Sequence, residues 1–116
     1  MDYSQLSDFE INKRVFKAIV GAKPLGYPHN ADGRSVGNES NGNYRWYDYC
    51  NNPEDAWPII TENKISIMFD STDTRYEGEY HEWCDAISSC QKFGIQHQSN
   101  PLRAAMIVFL MMRRIQ

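Results

Sequence analysis

Basic residues are scarce relative to acidic ones in this 116-residue chain: twelve Lys and Arg stand against fifteen Asp and Glu, a formal charge of -3. A nucleic-acid binder usually carries a basic excess gathered in a stripe, so this balance weighs against that class. Cysteine is sparse too. Cys50, Cys84 and Cys90 make an odd set without the spacing of a secreted disulfide framework, so free thiols in a reducing cytoplasm are expected. Long apolar runs are missing. The longest, from Ala104 to Met112, falls far short of the ~20 residues that cross a bilayer, and no membrane role is expected. The opening MDYSQLSDFE has neither a basic nor an apolar signal region, so no secretory leader is expected. Hydrophobic content of 41% and charged content of 23% match ordinary globular usage, which excludes wholesale disorder and fibrous classes. The length allows one domain, 1–116, with enough chain to bury a core unaided by disulfides or metal.

What the chain does contain is clearest at Asp55 to Phe69, DAWPIITENKISIMF, where a helix signal and a strand signal stand back to back. Asn52 is placed to accept first-turn amides, Pro53 has its φ preset, and Glu54 and Asp55 suit the positive end of a helix. Pro58 lacks a donor and clashes with the carbonyl at Glu54, which predicts a short turn, a kink, then helix to about Glu62. Asn63 is the expected left-handed terminator, with Lys64 beside it. Ile65, Ile67 and Phe69 then alternate with Ser66 and Met68, the period of a strand with one wetter face.

Upstream, Ser7 and Glu10 make a capping box, with Leu6 able to staple onto Ile11. Ile11, Val15, Ala18, Ile19 and Ala22 recur at helical spacing, with Asn12, Lys13, Arg14 and Lys17 largely on the other side. Gly21 or the Lys23-Pro24 pair should end that helix. Residues 26–43, rich in Gly, Asn, Asp and Ser, read as a flexible surface loop. Asn41-Gly42 is a tight-turn signal leading into the aromatic segment Tyr44 to Tyr49, a candidate short strand.

Downstream, Asp70 to Arg75 is a polar turn. Glu79 to Ala86 reads as a returning strand, although a helix using Trp83, Ala86, Ile87 and Cys90 fits the spacing nearly as well. Residues 88–99 read as loop. Asn100 and Pro101 repeat the cap pair, and Leu102 to Arg114 is a helix with an apolar stripe of Leu102, Ala105, Met106, Phe109 and Met112. Ile107, Val108, Leu110 and Met111 leave it little polar face, so it is either central to the fold or the contact of a homo-oligomer. The expectation is a small single-domain α+β fold. It has an N-terminal helix, a kinked middle helix, a short antiparallel sheet of two or three strands, and the apolar C-terminal helix packed on that sheet. Its expected core is Trp57, Ile59, Ile65, Ile67, Phe69, Met106 and Phe109.

Candidate chemistry is thin. His81, Cys84, Cys90 and His97 include the ligand types of a tetrahedral zinc site, but their spacing, His-x2-Cys-x5-Cys-x6-His, lacks the tight pairs such sites use. No metal or other cofactor is expected. No local signature sets Cys50, Cys84 or Cys90 beside a base. Glu77, Glu79, Glu82 and Asp85 read as a charged strand edge facing water. Gly33, Gly37 and Gly42 stand in no strand-to-helix context and have no following Lys-Ser or Lys-Thr, so phosphate cradling is excluded.

Three blocks together carry a family resemblance: Tyr3 to Val15 (YSQLSDFEINKRV), Tyr49 to Ile67 (YCNNPEDAWPIITENKISI) and Asn100 to Met112 (NPLRAAMIVFLMM). They resemble the NinX-type family of small phage and prophage accessory proteins. The resemblance implies expression in the cytoplasm of a bacterial host and supplies no catalytic residues. The expected function is non-enzymatic binding of a host or phage protein, with Arg45, Trp46, Tyr47 and Tyr49 as the contact surface. The alternative is a nucleic-acid-binding factor that stacks bases on the same aromatics beside Arg34, Arg45 and Arg75.

Overall fold

Ser7 stands just outside the first helix and its Oγ accepts the Glu10 amide at 3.2 Å, so the cap forms as expected. The structure, a computed structural model, describes residues 2–21, 32–40, 42–72 and 80–114. Helix α1, Asp8–Val20, ends at Gly21, whose φ of 80° is the left-handed turn that glycine adopts without strain. The Lys23-Pro24 alternative lies outside the described residues. The buried face of α1 is Ile11, Asn12, Val15 and Phe16. That face is rotated from the expected stripe: Asn12 is inside, and Ile19 is half exposed.

The loop expected over 26–43 is in part a hairpin. Asp32 folds its carboxylate onto the Arg34 and Ser35 amides and the Ser35 hydroxyl, and the chain enters β1, Val36–Ser40. Gly42, at φ 80°, turns it into β2, Asn43–Tyr47, which pairs antiparallel with β1 from Val36 opposite Tyr47 to Ser40 opposite Asn43. Residues 26–31 and 41 lie outside the described residues.

Helix α2, Pro53–Glu62, starts from Asn52, whose Oδ1 accepts the Glu54 amide at 3.1 Å. It runs through Pro58 without the separate initial turn that was expected. The Asn52 cap and Pro53 settle the first turn before Pro58 is reached, and the Pro58 ring lies on the exposed side. The left-handed residue after the helix is Lys64, φ 55°, and not Asn63. Asn63 terminates the helix by another route, since its own Nδ2 donates to the Ile59 carbonyl at 2.8 Å.

The second sheet is three-stranded and antiparallel in the order β3, β4, β5: Ser66–Ser71, Glu82–Ile87 and Gly94–Gln98. The strand reading of β4 holds. β5 lies where a loop was expected. Its turn has no Gly or Asn signal because Gln91 adopts the left-handed conformation itself, at φ 62°, and the Ser88 amide reaches the Phe93 carbonyl at 2.8 Å.

Helix α3, Pro101–Arg114, has every side chain from Ala104 to Leu110 buried. A helix apolar all round belongs inside, and α3 lies between α1 and α2 on one side and β4 and β5 on the other. The central placement is therefore realised from Ala104 to Leu110. The α+β class and the packing of α3 on the sheet stand as expected.

The core differs at two residues. Ile59, Ile65, Met106 and Phe109 are buried and Ile67 is half-buried against them, but Trp57 is 60% exposed and Phe69 75%. On α2, Ala56, Ile59 and Ile60 face inward, which turns Trp57 to the flank. Phe69 shares a face with buried Cys84, but α3 lies chiefly over β4 and β5 and stops short of it. Among the described residues no helix is long and apolar enough to cross a membrane.

Candidate binding surface

The expected contact residues divide between the two faces of β2. Arg45, Tyr47 and Tyr49 form a ladder that runs from solvent into the core. The Arg45 guanidinium lies 4.8 Å from the Tyr47 ring centre, and the Tyr47 ring stacks on Tyr49 at 5.7 Å and 8°. Tyr47 also meets Phe16 at 5.8 Å. Tyr49 is buried, and that burial, with Tyr47 adding to it, pushes its phenol well above the ordinary tyrosine range. Tyr49 thus belongs to the core, and Tyr47 is a half-buried wall above it. Arg45 stays exposed, 3.7 Å from Asp55, and Trp46 is half-buried on the opposite face, across from Gly37.

Beneath that ladder lies a polar network that sequence reasoning missed. Fully buried Asn12 donates from Nδ2 to the Arg34 carbonyl and to Asp48 Oδ1, each at 2.9 Å, and accepts the Cys50 amide at 3.1 Å. Asp48 Oδ2 accepts Arg34 Nε at 2.6 Å, and the Asp48 amide donates to Asp55 Oδ2 at 2.9 Å. Asn100, capping α3, reaches the Cys50 carbonyl at 2.8 Å. Arg103 donates to Asp8 at 2.7 Å and to the Ser4 and Leu6 carbonyls. The network ties the start of α1, the turn before α2 and the start of α3 together, which are the three blocks that carried the family resemblance. The available signal was Phe16: with Ile11 and Val15 it sets an arc that contains position 12.

The four residues weighed as metal ligands are spread over the second sheet. Cys84 is buried and donates its thiol to the Gln98 carbonyl at 3.2 Å; burial first, then Asp85, raises its pKa. Cys90 is exposed beside the Ser88 hydroxyl, which lowers its pKa with help from the Lys92 amide. His81 stands just before β4, and His97 lies on the sheet's outer face. Among the described residues no three His, Cys, Asp or Glu side chains form a metal-holding group.

The outer face of this sheet, turned away from α3, carries Met68, Asp70, Trp83, Asp85, Ile87 and the rim of β5. Here the pairing is irregular. Ala86 pairs with Ile95 but Cys84 with Gln98, so Gln96 and His97 together oppose Asp85 in a β-bulge. His97 takes φ 56°, its amide donates to Asp85 Oδ1 at 2.9 Å, and its ring lies on Trp83 at 5.0 Å and 3°. The bulge therefore aims an imidazole flat onto an indole. Two open hollows flank the stack. One wraps the end of β3 and β4, where Asp70 and Trp83 of the outer face meet Tyr80 and the opposite-face residues Phe69 and Glu82, and the other is lined by Met68, Asp85, Ile87, Gln91 and Gln96. Asp70 and Asp85 make the surface acidic as well as aromatic.

No curated protein and no solved structure matches the chain. The model of one family, described as Bacteriophage P22, NinX, matches residues 2–113. That span takes in all three blocks and also the hairpin and the outer sheet between them. The chain belongs to the bacteriophage P22 NinX family.

Proposed function

We propose that this phage accessory protein is a non-enzymatic binding module that docks, in the cytoplasm of the bacterial host, on a protein through the outer face of β3, β4 and β5. The Trp83 and His97 stack is the observation that carries the reading. Its rings are held in place before any partner arrives, so little side-chain freedom is lost on binding, and aromatic area of this kind is what protein interfaces favour. Asp70 and Asp85 around it suit a partner surface rich in Lys and Arg. Exposed Arg45 and half-buried Trp46 serve as a secondary contact.

The nucleic-acid alternative has less support. Arg34 is tied to Asp48, Arg45 lies over Tyr47 beside Asp55, Arg75 lies outside the described residues, and the aromatic outer face is acidic. Immobilised protein is exposed to host lysate with and without nuclease, and the retained material is compared for the native chain, Trp83→Ala and Trp46→Ala. The expected result is a stoichiometric protein that survives nuclease, is lost with Trp83→Ala and is kept with Trp46→Ala. Material that vanishes with nuclease, or binding indifferent to Trp83, overturns the proposal.

A further inference from the structure

We infer that the free edge of β3 pairs with β3 of a second copy of this chain, antiparallel and centred on Met68, to form a symmetric dimer with a continuous six-stranded sheet. The inference starts from which amides point outward. Thr72 donates to the His81 carbonyl at 2.9 Å, so Thr72 and His81 are a hydrogen-bonded pair of the β3 and β4 ladder. Hydrogen-bonded and open pairs alternate along an antiparallel ladder. Asp70, Met68 and Ser66 therefore turn their backbone groups toward β4, and Ser71, Phe69, Ile67 and Ile65 turn theirs away.

Two of those four outward amides are already used. Ile65 donates to the Ile60 carbonyl at 3.0 Å, and Ser71 donates to the Asp70 carboxylate at 2.8 Å. The amides of Ile67 and Phe69 have no partner among the described residues. The open part of the edge is thus two residues long and closed at both ends.

That pattern selects one register. With a two-fold axis through Met68, Ile67 of each copy lies opposite Phe69 of the other, and each pair exchanges both N–H···O bonds. An axis through Ile67 would set Phe69 against Ile65, whose amide is taken. An axis through Phe69 would set Ile67 against Ser71, whose amide is also taken. The Met68 register also matches side chains. Phe69, 75% exposed, meets Ile67 of the second copy, and Met68, 60% exposed, meets its own counterpart. Asp70 is brought beside the Lys64 end of the second copy's strand at both ends of the pair, which adds charge complementarity.

The other edge of the sheet is protected. β5 is distorted by the bulge at Gln96 and His97, a device that blocks strand addition, while β3 from Ser66 to Phe69 has no bulge, proline or charge. Pairing through β3 leaves the outer face open and places two Trp83 and His97 stacks on one surface. The two readings share Met68, Phe69 and Asp70 at the rim, but the dimer rests on the outward backbone of Ile67 and Phe69 and the docking on the Trp83 and His97 stack, so each is tested by its own variants.

Sedimentation velocity over a broad concentration series gives the first test, with Phe69→Pro as the main variant. Proline there removes only an outward amide, which an edge strand tolerates, so near-UV circular dichroism should be unchanged. Phe69→Lys is the second variant. The second test, in a Cys90→Ser background, compares oxidation of Met68→Cys with that of Asp70→Cys. Paired Met68 positions fall within disulfide reach across the axis, and Asp70 positions do not. The expected results are a concentration-dependent dimer abolished by both Phe69 variants, and cross-linking at least tenfold faster for Met68→Cys. A monomer at every concentration, a dimer indifferent to both Phe69 variants, or equal cross-linking rates would overturn the inference.

Discussion

Asn12 Nδ2 and Asp48 Oδ1 lie 2.9 Å apart in the interior, joining the second turn of α1 to the residue that follows β2. Asn12 satisfies three backbone or side-chain groups at once, so its loss leaves the Cys50 amide, the Arg34 carbonyl and an Asp48 oxygen short of partners inside the protein. Asn12→Leu keeps the volume and removes only the polarity. It should cost about 3 kcal/mol, the scale of two or three buried groups left unpaired. Urea unfolding followed by circular dichroism measures this, and a loss below about 1 kcal/mol would mean that water reaches the network.

The buried thiol of Cys50 and the phenol of Tyr49 predict alkaline sensitivity. Burial raises both above their ordinary values of 9.0 and 10.0. A raised acid stays neutral in the folded chain while the unfolded chain ionises, so the contribution is intact below pH 9 and is lost as pH rises above it. At pH 10 Cys50 alone should remove about 1.4 kcal/mol, one pH unit of linkage. Stability measured between pH 8 and about pH 10.5 should fall with that slope and fall less in Cys50→Ala.

How much of this was legible in the sequence depended on whether a segment used ordinary signals. Ser7, Asn52 and Asn100 cap helices as their residue types suggest, and α3 declares its burial by having no polar face. Three features were hidden for definable reasons. The turn before β5 uses Gln91 in a conformation that Gly or Asn usually marks, so the strand after it looked like loop. Asn12 has the side chain of a surface residue; the arc of Ile11, Val15 and Phe16 contains its position, but the partners that satisfy it come from positions 34, 48 and 50 and leave no local trace. The Trp83 and His97 stack depends on a bulge, which shifts the register by one residue and leaves no mark in the alternation of apolar side chains.

Thiol chemistry separates the three cysteines. Cys90 is exposed and its pKa is lowered by the Ser88 hydroxyl, while Cys50 and Cys84 are buried with raised pKa values. The thiolate is the reactive species, so a disulfide reagent at pH 7.5 should modify a single thiol rapidly and the other two only on unfolding. Peptide mapping should place the fast adduct at Cys90. Fast labelling at Cys84 would show that the β4 and β5 pairing opens readily at its Gln98 end.

Pro58 is the remaining irregularity within a helix, and its replacement tests why it is there. Its nitrogen has no hydrogen to offer the Glu54 carbonyl, a deficit of ~3 kcal/mol for an interior proline. Two terms oppose the gain expected from Pro58→Ala. Proline restricts the unfolded chain, which favours folding by up to ~1 kcal/mol, and the ring lines a shallow groove with Ala18, Ile19, Phe109 and Arg113. The helix's other bonds are in place on either side, from Ala56 to Asn52 and from Asn63 to Ile59, so alanine needs no rearrangement to restore the ladder. The net expectation is therefore stabilisation by about 1–2 kcal/mol, seen as a higher urea midpoint at unchanged slope. A lower midpoint would show that the ring's packing in the groove outweighs the missing hydrogen bond.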